Sequence, residues 1–599
     1  MLNPKYIYEK RKKRYESLLL ELKHTSNFIS ALRFIIFAAA LIFTVYTFLH
    51  KKYYMSTIIF FVGLAIFIIL MLKHNKVIEN RKLAEAILHI NELSLLRLSD
   101  EWKSFKDKGE DFIDNDHNYA DDLDIFGENS LFQWINNAYT PLGRIQLKNH
   151  LCFPRLDKNA IYESQEAIKE LSKNVGFRQE LAAEGSFIVT NKSENEEMFY
   201  WAEKANLTYK NGFLKFLIFL MPLAAVISIL LFLFFHVIGY VIPLIFMAVN
   251  LGILKLQEKQ RSEILDTIYK YKKNLKLFHK MIKLIEEKNF HSKLLMDIKH
   301  EFIGENFKAS KAINKLSKIS DKVSDRRNLF SILLNAIFLW DFHLITQLEN
   351  WKKQYGKLVM PWLNAIGDME ALSSLSIIGF DNPEWTLPVI DNSLKVRAEN
   401  IAHPLLSKDA VSNGVEINRS SSILLITGSN MSGKSTFLRT IGINLVLAYA
   451  GASVRAAEFS CGLMNIYTCM RISDNLEKNI SSFYAEIIRI KKIVTAAKGG
   501  ETVFFLLDEI FKGTNSLDRH TGAEALINML SKENTLGIVS THDLELGDLE
   551  NKNQKVKNYN FQEYYKKNEI QFDYKLRKGI SATRNAKFLM KLAGIEFIE

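Results

Sequence analysis

The chain has 599 residues, 48% of them hydrophobic and 24% charged, with a formal net charge of +12 at pH 7. That length holds several domains, and the excess of Lys and Arg is open to a nucleic-acid partner or to the basic rims of membrane segments. The three cysteines, Cys152, Cys461 and Cys469, show no metal-ligand spacing, which excludes a cysteine-built metal module and leaves thiols suited to the cytoplasm.

Residues 1–30 form a basic N-terminus with Lys10, Arg11, Lys12, Lys13 and Arg14. Residues 31–73 carry two nearly uninterrupted apolar runs, 34–49 and 53–72, joined by His50-Lys51-Lys52, and predict a first transmembrane helical hairpin. The first run starts too far from Met1, and lacks a small-residue cleavage site, to be a removable signal peptide. Residues 74–212 predict a helical domain, with an apolar helical period at Ile161, Ile168 and Leu171. Residues 213–254 predict a second hairpin from the runs 216–235 and 237–254. Both hairpins turn tightly, so every large soluble part lies on one side of a membrane.

Residues 255–395 predict a helical lever or core, since 255–356 is Lys-rich, free of proline and patterned for long helices. The run 308–322 could face nucleic-acid phosphates or form a solvated helix face.

Residues 396–599 hold the chemistry. An apolar run, 423–426, leads into Gly428-Ser429-Asn430-Met431-Ser432-Gly433-Lys434-Ser435-Thr436, and a helical stretch follows to Tyr449. This is the strand, Gly-rich turn and helix order of a phosphate-cradling loop. Its N–H groups would turn onto phosphate oxygens, Lys434 would sit on the β/γ-phosphates of ATP, and Ser435 would hold Mg2+. A β-type run, 502–507, ends in Asp508-Glu509. Asp508 is placed for the Mg2+ shell, and Glu509 to orient or deprotonate the attacking water. A third run, 535–540, delivers His542 to the same strand-end edge, where ligands bind in open α/β sheets.

At these residues the chain resembles the MutS mismatch-repair proteins. The phosphate loop and the run Leu507-Asp508-Glu509-Ile510-Phe511-Lys512-Gly513-Thr514-Asn515-Ser516 look like that family's ATPase motifs. His403-Pro404-Leu405-Leu406 with Ser412-Asn413, Ser481-Ser482-Phe483-Tyr484-Ala485-Glu486, and the closing segment with Tyr574-Lys575-Leu576, Gly579 and Asn585 agree in order. More weakly, Tyr139-Thr140-Pro141-Leu142-Gly143 and Leu151-Cys152-Phe153-Pro154 look like the start of the MutS core; an unrelated amphipathic helical domain is the alternative. The resemblance implies an α/β P-loop NTPase domain of the ABC/MutS type, preceded here by an all-α core and lever region and two transmembrane hairpins. It further implies a homodimer in which Ser481 and Ser482 reach the partner's γ-phosphate, His542 senses that phosphate, and ATP state is coupled to DNA. Use of ATP places the soluble parts in the cytoplasm, the hairpins in the inner membrane, and lipid among the partners.

The departures carry information too. Ser429 and Ser432 stand where the family has Pro and Gly, and Ala410 stands where an aromatic often stacks on adenine. The Phe-x-Glu wedge that reads mismatches is missing from the first hundred residues; Phe561-Gln562-Glu563 and Phe597-Ile598-Glu599 fit its spelling only in the C-terminal domain. The chain ends at Glu599, leaving little room for the terminal helix–turn–helix of many relatives. Three classes stay open: a membrane-tethered DNA-binding ATPase, an ABC-type transport ATPase, and a membrane scaffold or remodelling ATPase without DNA. Against transport, the chain lacks a Leu-Ser-Gly-Gly-Gln signature and its apolar runs lack a polar pattern to line a pathway.

Overall fold

The structure is a computed structural model that describes residues 3–188, 200–203, 212–235, 238–256, 258–324, 326, 329–429, 431–471, 482–566 and 569–581. Asn430, Ser481, Asn585 and Phe597 lie outside the described residues.

Helices α1 (Pro4–Leu49) and α2 (Tyr53–Leu98) are antiparallel, joined by a turn with Lys51 at φ 58°. The apolar half of each is long and apolar enough to cross a membrane. The two backbones come close at Gly63, where a Cβ would lie 2.5 Å from that of Ala40, so only glycine fits. Both helices run straight through the boundaries expected at 30 and 73. Their charged halves are amphipathic stems whose paired and solvated residues keep the helical period going after the apolar run stops.

The stems dock on the helical core. The Tyr8 hydroxyl donates to Asp381 Oδ1 at 2.8 Å, Arg97 Nε donates to the Trp134 carbonyl at 2.9 Å, and Arg11 Nε donates to Gln179 at 2.7 Å. Residues 99–130 are irregular, with short 3-10 turns, so the expected helical domain is not helical throughout. Then come α3 (Pro141–Cys152), α4 (Lys158–Lys173) and α5 (Val175–Gly185). Thr140 caps α3 by accepting from the Gly143 N–H at 2.9 Å, with Pro141 in the first turn, where its missing donor costs nothing.

Helix α6 (Gly212–Leu230) is apolar and continues as a π turn, giving a span-length run, Phe216–Phe235. Its expected partner is shorter than predicted. Helix α7 (Val241–Leu256) has 16 residues, which rise about 24 Å against a hydrocarbon core of about 30 Å.

The region expected as a helical lever or core is helical, in shorter pieces than its pattern suggests. Residues 258–381 fold as α8 (Glu258–Lys270), α9 (Lys272–Glu287), α10 (Lys293–His300), a two-strand hairpin β1 (Ile303–Gly304) and β2 (Phe307–Lys308), α11 (Ala309–Ser324), α12 (Leu329–Phe338), α13 (Trp340–Tyr355) and α14 (Val359–Asp381). The pattern breaks because α9 and α11 each bury one strongly apolar stripe against the other, folding the chain back on itself. Helix α14 is buried nearly all round and packs on α3 and α4.

Two sheets complete the chain. One contains β3 (Val389–Ile390), β4 (Lys395–Ile401), β5 (Asn413–Asn418) and, between β3 and β4, β7 (Glu458–Cys461). It starts before the boundary expected at 395, because β3 pairs with β7 beyond the phosphate loop. The larger sheet has the order β12-β11-β6-β10-β9-β8, from β6 (Ile423–Thr427), β8 (Asn465–Cys469), β9 (Val503–Asp508), β10 (Thr535–Thr541), β11 (Val556–Lys566) and β12 (Glu569–Lys578). All neighbours are parallel except β11 and β12. Helices α15 (Lys434–Tyr449), α16 (Ser482–Lys498) and α17 (Ser516–Leu530) cover it. Both faces of β6, β9 and β10 are therefore buried, which is why they read as continuous apolar runs rather than as alternation.

Candidate nucleotide site

Strand register brings the separate motifs together. In the parallel sheet Thr541 stands beside Thr427, and Ser540 beside both Ile426 and Asp508. The phosphate loop, the acidic pair and His542 consequently leave the sheet at one edge.

The loop leaves β6 with Gly428 at φ 152° and reaches α15 with Gly433 at φ 103°. At Gly433 a Cβ would sit 3.0 Å from the Tyr574 ring, so glycine is required both by the dihedral and by the ring. Gly433 is the N-cap of α15, so the first-turn N–H groups, including those of Lys434, Ser435 and Thr436, face the loop without intrahelical acceptors. Ser432 is buried and its hydroxyl has no hydrogen-bond partner among the described residues, whereas Ser429 donates to Glu563. Met431 is exposed.

Lys434 is 4% exposed and donates from Nζ to the carbonyls of Gly428 at 2.7 Å and Ser429 at 2.8 Å. Burial pushes its pKa below the usual lysine value, against the opposing pull of Glu509 and Asp508. Glu509 sits 3.5 Å from Lys434 Nζ, 2.8 Å from Lys512 Nζ and 3.7 Å from His542 Nδ1. Burial would raise the Glu509 pKa, but Lys512 first, then Lys434 and His542, outweigh it and hold the carboxyl below its ordinary value. The carboxylate is thus ionised at neutral pH, the state in which it can accept a proton.

Glu509 and Phe511 both have left-handed backbones, φ 51° and 60°. Each such residue costs on the order of 1–3 kcal/mol. The surroundings pin them: the Glu509 N–H donates to the Ser540 carbonyl at 3.0 Å, and the Phe511 N–H donates to Glu486, a buried carboxylate on α16. Asp508 accepts from the Ser540 hydroxyl through Oδ1.

Sequence reasoning assigned no roles to Lys512, Ser540, Glu486, Glu563 or Tyr574. Lys512, three residues after Glu509, was the one with a local signal. Asn413 is placed beside the closing segment, donating to the Tyr574 carbonyl at 3.0 Å and accepting from the Leu576 N–H at 2.8 Å. Ala410 stands where the resemblance expects an aromatic residue. It lines a cavity of about 340 Å3 with Leu406, Trp385, Arg97 and Arg455. Phe561 is buried edge-to-face on Phe437 at 5.9 Å, and so is a core residue rather than a wedge. Ser482 opens α16.

The irregular segment 99–130 grips this domain. Asp122, 1% exposed, accepts from the Thr468 hydroxyl at 2.7 Å, the Met470 N–H at 3.1 Å, the Arg471 N–H at 2.8 Å and Arg489 Nη1 at 3.1 Å. Asp124 pairs with Arg471 and with Arg439 of α15. The arrangement is a cradle of unpaired N–H donors and one buried ammonium, faced by two carboxylates and an imidazole. Its donors suit a polyphosphate, and its Asp508 and Ser435 oxygens are of the hard kind that Mg2+ takes.

Residues 424–595 match the family model of MutS domain V. The chain is 32% identical over 236 residues to the DNA mismatch repair protein MutS of Persephonella marina, covering 39% of this chain and 27% of that protein. It is 30% identical over 270 residues to that of Alkaliphilus metalliredigens, and 31% identical over 264 residues to that of Flavobacterium johnsoniae, covering 43% and 42% of this chain and 30% of each relative. The chain therefore spans under a third of the length of these curated relatives.

Proposed function

We propose that this chain, a member of the MutS family by its C-terminal domain, is a membrane-anchored ATPase that hydrolyses ATP in a paired site and couples the reaction to DNA. The convergence of Lys434, Asp508, Glu509 and His542 on one sheet edge carries this reading. The N–H groups of the 428–436 loop bind the phosphates, and Lys434 moves from the Gly428 and Ser429 carbonyls to the β/γ-phosphates. When bound at Ser435 and Asp508, Mg2+ would neutralise charge developing on the transferred phosphoryl group. Glu509, held ionised chiefly by Lys512 and Lys434, orients the attacking water and accepts its proton. His542, 3.7 Å from that carboxylate, is placed to report the γ-phosphate to the strand it terminates.

Pairing is proposed through α16: Ser481 and Ser482, at its start, reach the partner's γ-phosphate. ATP closes the pair and hydrolysis opens it. The helices α1, α2 and α6 anchor the chain in the cytoplasmic membrane, with the catalytic domain inside the cell. DNA is engaged through its phosphates. In support, Lys311, Lys315, Lys318 and Lys322 are all exposed along one face of α11. Lys434→Met tests the site: nucleotide hydrolysis should fall to background, and turnover equal to the parent protein refutes the assignment.

A further inference from the structure

The helix α12 is by itself, at 10 residues, too short for a membrane span, yet its polarity is inside out. Its polar residues Ser331 and Asn335 are buried, 6% and 7% exposed, whereas Ile332, Leu333 and Phe338 are 56%, 44% and 41% exposed. A helix on a water-soluble surface does the reverse. The two helices it packs against, α6 and α7, share this inversion. Ser228 and Asn250 are buried in them, while Phe219, Ile227 and Ile245 are exposed. The apolar outer surface of α12 is thus continuous with that of a span-length helix.

Both ends of α12 are held together. Arg326, just before it, lies 2.9 Å from Asp341, just after it, and Asp341 is also 3.2 Å from Arg261 beyond the end of α7. Asp341 is 1% exposed and further engages Asn335 of α12, accepting from Nδ2 at 3.2 Å. A segment whose two ends share one ion cluster does not cross a bilayer, and its 10 residues rise only about 15 Å, half of the hydrocarbon thickness.

The chain breaks at Leu339, φ 49°, and turns by 81° into the following helical run. A break at membrane depth must have its backbone groups satisfied by protein. Asn250 supplies this, donating to the Ala336 carbonyl at 2.7 Å and the Ile337 carbonyl at 3.4 Å.

We infer that α12 is a lipid-contacting segment, embedded beside α6 and α7 without crossing, whose exposed occupant is the acyl-chain region of a bilayer. The inference rests on the membrane anchoring proposed above and adds a third attachment. Through α13 it ties the start of α14 to the lipid, whereas the α1 and α2 stems dock at the other end of that helix, at Asp381.

The test uses the full chain reconstituted into phosphatidylcholine–phosphatidylglycerol vesicles. A bimane fluorophore is attached at Ile332→Cys or, as a second variant, Leu333→Cys; the native cysteines are buried. Ile227→Cys on α6 and Lys311→Cys on α11 serve as references. Both α12 positions should lose emission to nitroxide on lipid acyl chains and keep it against aqueous iodide, as Ile227→Cys does and Lys311→Cys does not. Iodide quenching at 332 and 333 with Ile227→Cys protected overturns the inference alone. Iodide quenching at Ile227→Cys as well overturns the membrane anchoring on which it rests.

Discussion

Replacing Asp122 by Asn should loosen the end of β8 without touching the nucleotide loop. Oδ2 of Asp122 takes three donors, the Thr468 hydroxyl, the Met470 N–H and Arg489, while Oδ1 takes the Arg471 N–H. An Asn oxygen can keep the first group, but its NH2 then faces the Arg471 N–H, leaving two buried donors opposed at about 1–3 kcal/mol each. The loss of the Asp122 carboxylate charge beside Arg489, whose side chain is 22% exposed, adds to this, so the whole change costs upward of about 3 kcal/mol. The loss is local, so it should be read by hydrogen exchange rather than by a global melt of a multidomain chain. Amide protection at Met470 and Arg471 should fall by at least about a hundredfold, since each 1.4 kcal/mol is tenfold. Unchanged protection there would show that Asp122 does not hold this end of the strand.

The other predictions concern the core, the loop and the basic face. Burial raises the carboxyl of Glu370, despite its hydrogen bonds from Thr140 and Tyr139, from 4.5 to about 7. The folded protein therefore binds this proton more tightly than the unfolded chain. The stabilisation is complete below pH 4.5 and is lost as pH rises through about 7, at most about 3 kcal/mol. Glu370→Gln should remove this component, so the apparent unfolding temperature of the parent relative to the variant should fall between pH 5 and pH 8; a constant difference would count against the buried acid. Gly433→Ala puts a methyl against Tyr574 on a left-handed backbone, and nucleotide affinity measured by calorimetry should drop about 5- to 150-fold for a cost on the order of 1–3 kcal/mol. Parent-like affinity would mean that the loop is not the binding element. If α11 meets DNA, changing Lys311, Lys315 and Lys318 to Gln should lower the slope of log affinity against log salt by about 0.9 per lost contact. An unaltered slope assigns that stripe to solvation.

What could be read from the sequence was what is local. The phosphate loop, the acidic strand end and His542 each sit at the end of a short apolar run, and the register of β6, β10 and β9 then places them together. The grip of Asp122 on Arg471 spans 349 residues and leaves no pattern in either segment. The run that became α12 is 10 residues long, half of what a span needs, so hydropathy alone passes over it. Strand β4, Lys395–Ile401, alternates in burial and was readable as a strand, but its partner β7 lies across the phosphate loop and its helix. The region 258–381 is helical, as a lever or core would be, but in short pieces, because helical periodicity continues across the fold-back that packs α9 on α11.

Detergent-solubilised Glu509→Gln protein with ATP and Mg2+ puts the paired ATPase site to the test. Light scattering should show an ATP-dependent dimer that persists, together with slow turnover, because the site still binds nucleotide and lacks the carboxylate that activates water. A species that stays monomeric with ATP and turns it over at the parent rate would contradict both the assignment of Glu509 and the pairing.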